Sequence, residues 1–206
     1  MDAHRQVFIT DNPAICREAS RDTFLFRFCK LLDKFKHWRE NKDGNHTIYP
    51  VWDSVLLVDE IVDRNKKIYV DDTLIMHCQI ENFEKVIPYI FGPYSRLVLH
   101  GDSTWNQVKR LVQSGVKQVR HSGLIRLQPT ELDDFVDFVM RHSRGLEYTF
   151  SFSSGNHSHH VVPKLNNACR FHNTHSVHHF DGMYHLNAMH SNGFVYIVYT
   201  GHCRLS

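Results

Sequence analysis

No apolar run in the 206 residues approaches the length that crosses a bilayer, and the chain opens on a mixture of His4, Arg5, Asp11, Pro13, Arg17 and Glu18 rather than on a signal-peptide core. Membrane and secretory readings fall away, and a cytoplasmic or nuclear protein is expected. Cysteine points the same way. There are five, scattered at Cys16, Cys29, Cys78, Cys169 and Cys203 without a C-x-x-C pair, which suits reduced thiols and not a disulfide framework. Neither sign of charge is in excess: 24 Lys plus Arg against 22 Asp plus Glu leave a formal net charge of +2, so no global field calls for a nucleic acid or a membrane surface. The phosphate-cradling G-x-x-x-x-G-K-[ST], the dinucleotide G-x-G-x-x-G and the nucleophile elbow G-x-S-x-G are all missing. The chain therefore reads as non-catalytic, with no resident cofactor expected.

What is present is enough to fold. Hydrophobic residues make up 42% and aromatics 12%, sufficient for a sizeable core, and histidine is in marked excess at 17. Residues 1–18 read as an irregular lead-in broken at Asn12-Pro13. From about Arg21 to Glu40, Phe24, Leu25, Phe28, Leu31, Leu32, Phe35 and Trp38 recur at threes and fours, the period of an amphipathic helix. Val51 to Val62 and Asp72 to Ile80 predict two short strands or a strand and a turn; Phe83, Val86, Ile87 and Ile90 predict a short helix stopped by Gly92-Pro93; Arg96 to His100 predict a strand. Two better-punctuated helices follow. The first has Asp102 or Ser103 as its N-cap, Trp105, Val108, Leu111 and Val112 on its buried face and Gly115 beyond its end. The second has Pro129 at its first position, Glu131, Asp133 and Asp134 near its positive start, and Leu132, Phe135, Val136 and Val139 facing inward. Leu146 to Phe152 alternate as a strand, Val161 to Cys169 predict another short helix, and Phe194 to Thr200 a last strand.

Strand starts near Val55, Leu74, Arg96, Lys117 and Leu146 recur at a spacing of roughly two dozen residues, inside the ~20–29 of leucine-rich repeats. Strands joined through helices at that length lie parallel. The expected fold is α/β: an irregular leucine-rich-repeat-like strand–helix array with a mainly parallel sheet, an N-terminal helix and an irregular C-terminal cap. Residues 1–45 would form the lead-in and helix, and 46–206 the repeat domain, with a histidine-rich cap from about 155.

Two constellations carry candidate chemistry. Cys169, His172, His175 and His178 stand three apart, a spacing that places thiolate and imidazoles on one helical face and makes zinc the candidate metal. Arg96, Val98, His100, Arg120, Glu147 and Thr149 alternate away from the predicted core and are the candidate partner-binding positions. Arg96, Lys109, Arg110, Lys117, Arg120 and Arg126 also make a locally basic sector, the one feature that would suit a nucleic-acid-binding module, although neighbouring acids dilute it.

Thr104-Trp105-Asn106-Gln107-Val108 and Asp134-Phe135-Val136-Asp137-Phe138-Val139-Met140-Arg141-His142 resemble the helix motifs of the nematode-type F-box-associated families. The resemblance covers about Val51 to Phe152. It implies the substrate-capturing half of an adaptor for a cullin-type ubiquitin ligase, a protein-binding and non-enzymatic role. In that family an F-box docks a Skp-type linker protein. No Leu-Pro F-box signature precedes the repeat here, and residues 1–45 offer one helix rather than a short three-helix module, so the linker is not expected through a recognisable F-box.

Overall fold

The computed structural model describes residues 2–21, 52–143, 148–153, 158–171, 175–180, 182–188 and 199–201, with side chains for 3–21, 52–143, 148–153 and 160–169. The helix expected at 21–40 and most of the strand expected at 194–200 lie outside them. The chain is an α/β strand–helix array with mainly parallel pairing. It groups into two compact units, Met1–Tyr94 and Ser95–Ser206, a division that falls within the stretch the sequence reads as one repeat domain.

The first unit is built around β1 (Asp2–Thr10), where the sequence suggests an irregular lead-in. Polar His4, Arg5 and Gln6 hide the strand. Two of them find partners on neighbouring strands: His4 Nδ1 lies 2.7 Å from Ser54 Oγ, and Gln6 Nε2 donates to Asp72 Oδ2 at 3.3 Å. β1 pairs in parallel with β2 (Ser54–Leu57) on one side and β3 (Ile68–His77) on the other, and β4 (Ile90–Phe91) pairs with the start of β3. Consecutive β2 and β3 thus flank β1 instead of stacking in sequence. Val7, Ile9, Leu74, Ile75 and Met76 are buried, and the run Thr73–Met76 is covered on both faces, which explains its lack of alternation.

The intervening helices are short. Pro13–Ala19 form α1, for which Asn12 is the N-cap, its side-chain oxygen accepting from Ala14 N at 2.9 Å and Ile15 N at 3.4 Å. The dipeptide that breaks the lead-in in the sequence therefore starts a helix. Trp52 Nε1 donates to Ala19 O at the other end, at 2.9 Å. Val58–Asp63 form α2 and Ile80–Val86 form α3, with Val58, Ile61, Phe83 and Val86 turned inward.

In the second unit β5 (Arg96–His100), β7 (Gln118–His121) and β9 (Thr149–Ser153) are adjacent and parallel, the sequential stacking of a repeat array. Their connections carry α4 (Trp105–Leu111) and α5 (Leu132–His142), with β6 (Ser103–Thr104) paired to β8 (Ile125–Arg126). Trp105 is fully buried, with its ring 5.0 Å from both Phe135 and Phe138; Phe135 in turn packs on Phe150 and Phe152 of β9. Beyond β9, α6 (Ser158–Phe171) buries Val161, Leu165 and Cys169 at a spacing of four, extending the predicted helix at both ends. The cap region also carries β10 (His175–Phe180), β11 (Gly182–Ala188) and β12 (Tyr199–Gly201), with β11 antiparallel to β9, β10 and β12. The register of β10 with β11 runs from His175↔Ala188 to Phe180↔Met183.

Candidate functional site

In open α/β sheets, ligands gather beyond the carboxyl ends of the parallel strands. In the second unit these ends bring together Gly101 and Asp102 after β5, His121 and Gly123 at and after β7, and Ser153 at the end of β9. Gly101 has φ 90°, and a Cβ on Gly123 would stand 1.9 Å from Gly101 O, so the two loops meet backbone to backbone. His121 is pinned between them. Its Nδ1 donates to Gly123 O at 3.0 Å, and because a carbonyl only accepts, Nε2 is left to accept from Ser103 Oγ, 2.7 Å away. Ser153 Oγ donates to the same carbonyl, Asp102 Oδ1 accepts from Leu124 N at 3.1 Å, and Asp102 Oδ2 lies 3.5 Å from Arg126.

A serine hydroxyl hydrogen-bonded to an oriented imidazole is the arrangement of a nucleophile and its base. Accessibility decides against that use: Ser103 is 1% exposed and His121 0%. Burial also pushes the imidazole down to about 4, so it stays neutral. The pair is a structural pin. It explains why the helix cap differs from expectation: Ser103 and Asp102 are committed to this network, and Thr104 instead caps α4, accepting from Gln107 N while Gln107 Oε1 accepts from Thr104 N.

At the corresponding place in the first unit, between β1 and β3, Asp11 accepts from Gln79 N at 2.6 Å and from Asn82 Nδ2 at 2.9 Å. The carboxylate ties the end of β1 to the start of α3. Beside it Cys78 is buried, and its thiol is pushed up by that burial first and by the Asp11 charge second, which makes it a poor nucleophile.

The candidate partner-binding residues are only partly brought together. Register sets Arg96 beside Gln118 and Thr149, and Val98 beside Arg120 and Ser151, all on one face of the sheet. Arg120, His100 and Thr149 are half-buried, whereas Arg96 is buried and Val98 is 0% exposed. Simple alternation fails at Val98 because β5 is covered on both faces. Glu147 lies outside the described residues.

The candidate metal ligands do not share the helical face their spacing suggests: Cys169 is on α6, but His175 and His178 belong to a strand, and His172 lies outside the described residues. Cys169 is buried with Sγ 3.8 Å from Met140 Sδ, and burial pushes its thiol up to about 12. No cluster of ligating side chains occurs among the described residues. The groups missed by sequence reasoning are Ser103 and His121, which meet across two loops, and the neutral pair Gln118 and Ser122, which frame Arg120. Only the strand period of β7, read with its polar residues, could have singled out the second pair. No family model, no curated protein and no solved structure matches the chain.

Proposed function

We propose that the chain is a protein-binding, non-catalytic module, comparable to the substrate-recognition region of F-box ubiquitin-ligase adaptors. One observation carries this reading: the sheet of the second unit is two-faced. The side bearing Val119, Phe150 and Phe152 is apolar and packed by α5 through Phe135. The other side sets Arg96, Gln118, Arg120, Thr149 and Ser151 in register. Polar side chains ordered on a rigid sheet suit recognition better than core packing. The buried Ser103–His121 pair supports the non-catalytic half of the reading.

The adaptor role predicts that the purified full chain forms a stoichiometric complex with a Skp-type linker protein in size-exclusion chromatography. Failure to do so, with circular dichroism intact, removes the ligase connection and leaves a binding domain. The use of the polar sheet face is tested by Arg120→Glu: a partner that binds this folded variant as tightly as the parent chain is not held there.

A further inference from the structure

Along β7 one face carries Gln118 and Arg120, and Ser122 continues it, since Ser122 N donates to Leu99 O at 2.8 Å and prolongs the ladder. Gln118 Oε1 and Ser122 Oγ are both buried and have no hydrogen-bond partner among the described residues. Buried polar atoms are rarely left so, and two on one strand face, either side of an arginine, mark a place where something else supplies the partners. Val98 and Ser151, the register neighbours of Arg120, are buried, while Gln118 and Arg120 are half-buried.

The sign of the face is set by position. Arg96 and Arg120 lie on it, and none of its positions on β5, β7 or β9 is a carboxylate. The acids of α5 belong to the opposite side: Asp134 holds Trp105 Nε1 and Lys109, and Asp133 holds Lys164. Asp102 serves the loop at Leu124 and Arg126. Both face arginines already have interactions within the molecule, so the case rests on the neutral pair and on the sign of the face.

The missing partners have a definite chemistry. Gln118 Oε1 only accepts, so the ligand must bring a hydrogen-bond donor; Ser122 takes a donor or an acceptor; a guanidinium favours an anion. A phosphate ion carries at most a hydroxyl or two and is too small to span the row, since same-face positions on a strand stand about 7 Å apart. An extended polypeptide with Asp or Glu side chains brings backbone N–H, backbone C=O and carboxylate together. We propose that the polar face of β7 binds an acidic polypeptide segment, with a backbone N–H at Gln118 and a carboxylate toward Arg120. This rests on the protein-binding reading and names its partner class.

The test is an NMR titration of the isotope-labelled full chain with blocked hexaglutamate, hexalysine and inorganic phosphate. The Gln118 side-chain amide and the Arg120 Nε–H signal are followed. Hexaglutamate should move both saturably, Gln118→Leu should weaken it about five- to tenfold, and Arg126→Gln, a change at an exposed arginine, should leave it unchanged. Gln118→Glu offers a second variant of nearly equal size, in which like charge should abolish binding. Unmoved Gln118 and Arg120 signals, equal weakening by Arg126→Gln, or phosphate saturating the face as well as the peptide would each overturn the proposal. A protein partner held undiminished by the Gln118→Glu chain would overturn it too, yet leave the protein-binding reading standing. Loss of every protein partner would remove that reading, whatever the peptide does.

Discussion

The two units tie down the carboxyl ends of their parallel strands by opposite means. In the first, a partly exposed carboxylate, Asp11, holds the start of α3 with charge-assisted hydrogen bonds. In the second, a neutral imidazole, His121, does so in a place that water does not reach. The task is the same, but the dielectric surroundings differ, and so must the cost of disturbing each clamp. A group clamped in water can be replaced by water; a group clamped in the interior leaves its partners stranded.

The contrast can be broken most severely at His121. His121→Ala leaves the Ser103 hydroxyl without its acceptor and opens a cavity, for a loss of about 3–4 kcal/mol. Urea unfolding read by circular dichroism measures the loss, and hydrogen exchange should place the loosening at 101–104 and 121–126. A loss under about 1 kcal/mol would make the pin ornamental.

Acid comes next. The folded His121 titrates near 4 against 6.5 for the free side chain, so between these values the unfolded chain binds the extra proton. The stability it contributes is whole above 6.5 and falls as the pH drops toward 4, by about 3 kcal/mol at one pKa unit per 1.36 kcal/mol. The parent chain should therefore lose its advantage over His121→Ala across that window. An advantage that stays constant with pH would mean that the imidazole is not held neutral.

The smallest effect is expected in the first unit. Asp11→Ala should cost about 1 kcal/mol, the size of a lost helix cap, because Gln79 N and Asn82 can turn to solvent. Faster exchange confined to the start of α3 is the expected signature. If Asp11→Ala proved as damaging as His121→Ala, the distinction between wet and dry clamps would collapse.

Much of the array can be read from the residues because local signals and tertiary packing agree there. Leu132, Phe135, Val136 and Val139 mark α5 by period, and Trp105, Val108 and Leu111 mark the inner face of α4; both faces pack as their patterns imply. β1 escapes notice because its polar residues are satisfied across strands that are distant in sequence, such as Ser54 and Asp72. The cap of α4 shifts to Thr104 because a contact with His121, invisible locally, claims Ser103. Alternation misplaces Val98 because a strand enclosed on both sides has no outer face to reveal. The histidine run fails as a helical pattern because pairing with β11 makes His175–Phe180 strand, and a spacing of three has no meaning for a period of two.

Cys78 in the first unit and Cys169 in the second are both sealed, with their thiols shifted away from the reactive thiolate. Since only a thiolate that meets solvent is alkylated quickly, each sulfur stays silent until the structure around it opens. The protein thus has a clock in each half. Pulsed alkylation followed by peptide mass mapping would time the opening of one unit against the other in a single tube, without introducing a label or changing a residue.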